Sequence, residues 1–262
     1  MWVRIPHLPL IKSINMKQYR TDLEKNRIEF IDNRFYLSGN GMHIPSVTTI
    51  LDSYPKTADF YAWLKKVGED ADSIRDEAGR RGSVVHDLTE RYDNMEEVSF
   101  INQNGLKYKM SEWAMFERYV EFSTIFKHEI IMMESHMISE DLGFAGTVDR
   151  VIDLDGNRML MDIKTSNAIH DSYWLQLAAY HRLLMEYGQE IDSVGILWLN
   201  AKTRTAGKAG AIQGPGWQLV SKRVDEVEKD WQLFKCTYEL WKHVNETMRP
   251  KNISYQLTHQ KK

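Results

Sequence analysis

The sequence predicts one α/β domain, a mixed central sheet flanked by helices, with a helical N-terminal half. Three observations carry that reading. Residues 58–68 and 70–94 read as polar helices and 111–127 as an aromatic-rich helix. Three strand-like segments then follow one another at 129–138, 143–154 and 158–165. A helix at 170–187 and a strand at 192–200 complete a β-β-β-α-β order.

The elements can be justified in turn. The first twenty-one residues hold Arg4, Lys12, Lys17 and Arg20 and no acid. Pro6 and Pro9 interrupt any helix there, so an extended arm is expected rather than a targeting helix. Residues 27–38 alternate like a β-hairpin turning at Asp32-Asn33. Ile44-Pro45-Ser46-Val47 opens the helical region, with Ser46 as the expected cap. Residues 95–110 read as a loop. Asp155-Gly156 is a tight-turn dipeptide joining two of the strands. The segment 201–216 holds four glycines and a proline and reads as a loop. A short strand near 217–221 leads into a long helix over 222–247. The expected divisions are an arm and hairpin over 1–43, the main domain over 44–250 and a loose polar tail over 251–262.

Of the 262 residues, 42% are hydrophobic and 27% charged, as in an ordinary soluble globular protein. A net charge of -3 does not advertise nucleic-acid binding, although binding depends on patches rather than on the average. Cys236 is the single cysteine, which excludes an internal disulfide and an iron–sulfur cluster held by this chain's own cysteines, so a reducing compartment is expected. No apolar run approaches the roughly 20 residues that span a bilayer.

One segment specifies a chemistry. Asp162 and Lys164 are two apart on a strand and share a face, while Ile163 points into the core. Asp149 and Asp162 are equidistant from the centre of the Asp155-Gly156 turn, so an antiparallel hairpin sets them opposite each other. Two carboxylates so placed repel by roughly 1–4 kcal/mol, which a cation relieves. Hard oxygen ligands favour Mg²⁺ or Mn²⁺, and such an ion activates water and polarises a phosphate. Lys164 would then orient or deprotonate the attacking water, or neutralise charge on phosphate oxygens. Asp-x-Lys on a strand is more often an edge salt bridge, and Gln176 and Tyr180, four apart on the next helix, are as easily packing residues. The ordered set raises the odds. Upstream, Gly82, His86 and Glu90 line one helix face beside the core face of Val85, Leu88 and Tyr92. His86 could supply a nitrogen ligand; Arg80 and Arg81 would sit at that helix's N-terminal end, where anions bind.

These residues resemble the PD-(D/E)XK nuclease superfamily, in its RecB-like exonuclease branch. The matching pieces are Arg-Gly-Ser-Val-Val-His86, Gly-Thr-Val-Asp149, Asp162-Ile-Lys164 and Gln176-Leu-Ala-Ala-Tyr180. The segment Ile44–Leu51 is similar to the start of the mitochondrial genome-maintenance exonuclease and related phage exonucleases. The resemblance implies a restriction-endonuclease-like mixed sheet and Mg²⁺- or Mn²⁺-dependent hydrolysis of DNA. It implies that His86, Asp149, Asp162 and the Ile163 carbonyl hold the metal. Lys164 becomes the catalytic lysine, Gln176 and Tyr180 stand beside the scissile phosphate, and Glu134 is an outer acid. It further implies action on DNA ends in replication, recombination or repair, with single strands a candidate preference. Unwinding would fall to a helicase or recombination-protein partner. The bacterial or phage-infected cytoplasm is the expected setting ahead of the mitochondrial matrix, and no membrane is expected.

No acid lies between Asp192 and Asp225, and Lys202, Arg204 and Lys208 fall in the glycine-rich loop. These three, with Ser46, Thr48 and Arg81, are the expected DNA contacts. A plain solvated loop explains the basic residues equally well. Trp63, Trp113 and Trp174 could stack bases, with core packing the commoner role. The rival readings are a structure-specific or flap endonuclease, an inactive DNA-binding module of the same fold, and a metal-dependent phosphatase for small molecules.

Overall fold

The computed structural model describes residues 21–22, 27–30, 34–40, 42–102, 105–201, 216–246 and 251–254. In chain order its elements are β1 (Thr21–Asp22), β2 (Arg27–Phe30), β3 (Phe35–Leu37), β4 (His43–Pro45), α1 (Val47–Leu51), α2 (Ala58–Val67), α3 (Ala71–Asp93), β5 (Ile101–Asn102), β6 (Gly105–Leu106) and α4 (Met110–Ile125). The second half adds β7 (Glu129–Ser139), β8 (Phe144–Leu154), β9 (Asn157–Lys164), α5 (Asp171–Glu186), β10 (Ser193–Trp198), β11 (Gln218–Arg223), α6 (Glu228–Val244) and β12 (Lys251–Ser254).

The main sheet has the order β11-β10-β9-β8-β7. Only β9 and β10 run parallel, and α5 is the crossover a parallel pair requires. Side chains alternate across this sheet. Leu160, Val194 and Ile196 pack with α1, α5 and α6 on one face. Met159, Met161, Ile163 and Leu197 pack with Val85 of α3 and Met115, Tyr119 and Phe122 of α4 on the other. The expected α/β architecture, a mixed sheet flanked by helices, is therefore the observed one.

The β8–β9 hairpin turns where the sequence places it. Asp155 and Gly156 have φ of 55° and 84°, the left-handed pair whose twist matches antiparallel strands. The register Leu154↔Asn157 through Arg150↔Met161 follows from that turn. Continued by one pair it would set Asp149 beside Asp162, but the paired register stops at Arg150↔Met161. Beyond it β8 changes neighbour, and Ser46 bridges to Ala145. Val148 and Val151, three apart, both pack in the α1–α5–α6 core, so the alternation of β8 breaks at this parting.

Three expectations are corrected. Residues 27–38 are not one hairpin: β2 pairs with β1 and β12, whereas β3 pairs with β4. Phe35 and Tyr36 are buried, and that burial ties β3 to the main core rather than to β2. The tail is not wholly loose, because Lys251–Ser254 forms β12. Lastly, α3 begins at Ala71, so Arg80 and Arg81 lie in mid-helix, far from its N-terminal amides. The expected anion site at a helix terminus is absent there.

Candidate active site

The site lies where β8 and β9 part. Loss of the ladder would leave the Ile163 amide without a strand partner, and Asp149 Oδ2 accepts it at 2.9 Å. The Ile163 carbonyl lies 3.1 Å from His86 Nε2. Two expected site side chains thus satisfy the backbone of a third expected ligand. With Nε2–H donating to that carbonyl, Nδ1 faces the acids: Asp149 Oδ2 is 3.6 Å away and Glu134 Oε1 is 3.8 Å away. Ligand atoms of His86, Glu134 and Asp149 all lie within 4.8 Å of one another.

A neutral imidazole would aim a lone pair at two carboxylates, which is repulsive unless a cation or a proton lies between. Burial pulls the His86 pKa down, but Asp149 and then Glu134 outweigh it and lift it to about 8. Burial pushes Glu134 up, and His86 with Arg150 more than reverses that, leaving it below the ordinary range. One nitrogen among carboxylates and a backbone carbonyl is a hard donor set that fits Mg²⁺ or Mn²⁺.

Glu134, expected as an outer acid, lies 3.8 Å from His86 Nδ1 and within 4.8 Å of both other candidate ligands. It sits in β7 at the position facing Asp149, between the pairs Met133↔Arg150 and Ser135↔Val148. Its φ is 41°, a left-handed backbone that costs a non-glycine residue of order 1–3 kcal/mol.

Asp162 shares a face with Lys164, as their spacing of two implies, and stands outside the three-residue cluster. It is almost fully buried on the α5 face, and its Oδ2 lies 2.6 Å from Lys164 Nζ. Gln176 joins the pair to α5: its Oε1 accepts from Lys164 at 3.0 Å, and its Nε2 is 3.1 Å from Asp162 Oδ1 and 3.2 Å from the Tyr180 hydroxyl. Asp162 therefore belongs to a lysine–amide group alongside the three-residue cluster. Burial raises its pKa against the pull of Lys164. Burial lowers Lys164, but Asp162 and Asp149 outweigh it and hold the ammonium above its ordinary value. The Lys164 ammonium also lies 4.6 Å from the Tyr173 ring centre, a cation–π contact.

The expected DNA contacts are less gathered. Ser46 is 1% exposed, and its hydroxyl accepts from the Thr49 amide as the cap of α1, so it has no surface to offer. Thr48 is exposed and lies 2.9 Å from the Ser46 hydroxyl. Arg81 forms no ion pair among the described residues, and its Nε is buried without a hydrogen-bond partner. Arg80 is spent on Glu77 and Glu112. Lys202, Arg204 and Lys208 lie outside the described residues. Of the three tryptophans, Trp113 packs on Phe100, Tyr108 and Phe116, Trp174 lies under Lys222, and Trp63 packs on Phe60 of the exposed α2.

Sequence reasoning missed Arg150 and Asp93. Arg150 is fully buried, with Nε 2.7 Å from Asp93 Oδ2 and Nη1 3.1 Å from Glu134 Oε1. The available signal was a basic residue directly after Asp149 in a strand whose neighbours Val148, Val151 and Ile152 are apolar.

No family model and no curated protein matches the chain. Among solved structures the chain is similar to an alkaline exonuclease from Laribacter hongkongensis, at 10% identity and a TM-score of 0.34, over 77% of this chain and 91% of that one. A likeness of this size says nothing about this chain's chemistry, which stands on its own side chains.

Proposed function

We propose that the protein is a metal-dependent deoxyribonuclease that hydrolyses phosphodiester bonds from DNA ends. The observation that carries the proposal is the convergence of His86, Glu134 and Asp149 beside the Asp162–Lys164 pair. His86, Glu134 and Asp149 would hold Mg²⁺ or Mn²⁺, with Asp162 and the Ile163 carbonyl completing the set. When bound, the ion supplies a Lewis acid that makes a bound water more acidic and polarises a phosphoryl oxygen.

The protein's own groups divide the remaining work. Lys164 is held as an ammonium, so it donates to the phosphate oxygens and stabilises charge there rather than taking a proton. Gln176 fixes Lys164 and Asp162 in one orientation through its two amide ends. Tyr180 anchors Gln176 and closes the α5 side of the site. Arg81, one to two turns before His86 and without an ion pair among the described residues, is a cation on the same helix placed to meet a neighbouring phosphate. DNA as the substrate class rests on the motif order set out above.

The test compares wild type with Lys164→Ala on DNA in Mg²⁺ or Mn²⁺. We expect wild type to degrade linear single strands, spare circles, and lose about 10²- to 10³-fold in rate with the substitution, in the range for removal of one charge-stabilising group. Equal rates would sink the assignment of Lys164. Cleavage of circles would replace end-directed action with endonuclease action.

A further inference from the structure

We propose that Arg150 is a positioning residue that locks Glu134 against His86 and Asp149. The inference rests on the metal-site reading and adds a residue that the resemblance does not supply.

A guanidinium with no exposed surface carries a large desolvation cost unless its nitrogens find acceptors. Here each of the three nitrogens has a partner, with four contacts for five N–H groups. Nε meets Asp93 Oδ2 at 2.7 Å, Nη2 meets Thr89 Oγ1 at 3.3 Å, and Nη1 meets the Asp149 carbonyl at 2.8 Å and Glu134 Oε1 at 3.1 Å. Asp93, itself 3% exposed, already neutralises the charge, and the Tyr119 hydroxyl fixes Asp93 at 2.6 Å. The Nη1 arm is therefore surplus to charge balance. It joins the backbone of one candidate ligand to the carboxylate of another.

Glu134 needs such a hold. Its backbone is left-handed in the middle of a strand, and its side chain is 26% exposed, so water offers it an alternative position. The fork comes from β8, the strand that also carries Asp149, so the two acids are fixed relative to each other. Lysine cannot do this, because a single ammonium does not span Asp93 and Glu134 as a planar fork does.

The test measures Mn²⁺ binding by calorimetry and by electron paramagnetic resonance, without substrate. The proteins are wild type, Arg150→Lys, the double variant Arg150→Met with Asp93→Asn, Glu134→Ala, and Glu134→Ala combined with Arg150→Lys. The first keeps a cation beside Asp93; the double variant removes both buried charges and leaves Tyr119 an acceptor, a replacement that buried ion pairs tolerate. Thermal melts show which variants are folded. We expect each folded Arg150 variant to lose about 10- to 100-fold in Mn²⁺ affinity, as losses of supporting partners do. We also expect Arg150→Lys to add nothing to the loss already caused by Glu134→Ala. A folded Arg150 variant with wild-type or tighter affinity overturns the proposal, as does a full additional loss on top of Glu134→Ala. Should neither Arg150 variant fold, Asp93→Asn, which loosens the fork from its other end, must show a several-fold loss, and wild-type affinity there overturns the proposal. Failure of wild type to bind Mn²⁺ removes the metal reading and this inference together, whereas wild-type binding with unaffected variants removes this inference alone.

Discussion

At the scale of single residues, His86 makes the sharpest prediction. Its folded value of about 8 lies above the ordinary 6.5, so the metal-free protein gains stability from the imidazolium. That gain, worth roughly 2 kcal/mol, is fully present below about pH 6.5 and is lost as pH rises through about 8. A metal needs the neutral ring, so the proton competes with it. Mn²⁺ affinity should therefore rise about tenfold per pH unit up to about pH 8 and level off above it. Calorimetry at pH 6.5, 7.5 and 8.5 checks this, and a flat profile would remove His86 from the ligand set. Lys164 belongs to the same scale. Because Asp162 and Asp149 outweigh burial to keep it charged, its chemistry is that of a fixed cation, a choice the sequence left open between base and charge stabiliser.

At the scale of elements, the β8–β9 hairpin and α5 form the frame. Their contact is tightest at Gly146, where an added Cβ would meet Tyr180 Cε1 at 2.3 Å. Gly146→Ala should destabilise the fold by about 1–3 kcal/mol through overpacking, measured by denaturant unfolding. It should also lower activity, since the ring that must move carries the hydroxyl bonded to Gln176. An alanine accommodated without loss of stability would show that α5 is not seated against β8 as described. By contrast, a Cβ at Gly82 would sit 3.5 Å from Thr165 Oγ1, an ordinary contact, so Gly82→Ala should be mild. This scale also shows what was legible. The Asp155-Gly156 turn, the cap at Ser46 and the i,i+4 face of Gln176 and Tyr180 are local chemistry, and each stands where the sequence placed it. The partner of 27–30 was not legible, because alternation in a four-residue strand sets its two faces but not which distant edge it joins.

At the scale of the whole molecule, the candidate ligands come from three places in the chain: α3, β7 and the β8–β9 hairpin. Binding a metal there should tie these elements together. At about 100 times its dissociation constant, Mn²⁺ should stabilise the fold by roughly 2.7 kcal/mol and raise the melting temperature by about 5–10 °C. Asp149→Asn should abolish the rise. An equal rise in that variant would mean that the metal binds elsewhere. No described helix is long and apolar enough to cross a membrane.

The α/β order, the hairpin turn with its register as far as Arg150↔Met161, and the shared faces of Asp162 with Lys164 and of Gln176 with Tyr180 follow from sequence. Turn chemistry and the periods of strand and helix are local and act over a few residues. Packing between distant elements brings Glu134 into the cluster with His86, binds Asp162 to Gln176 of α5, and makes Arg150 link Glu134 to Asp93. Those facts depend on where two strands part, on a left-handed residue in β7 and on the burial of a charge. Each is set by packing between elements distant in the chain, which no local pattern encodes.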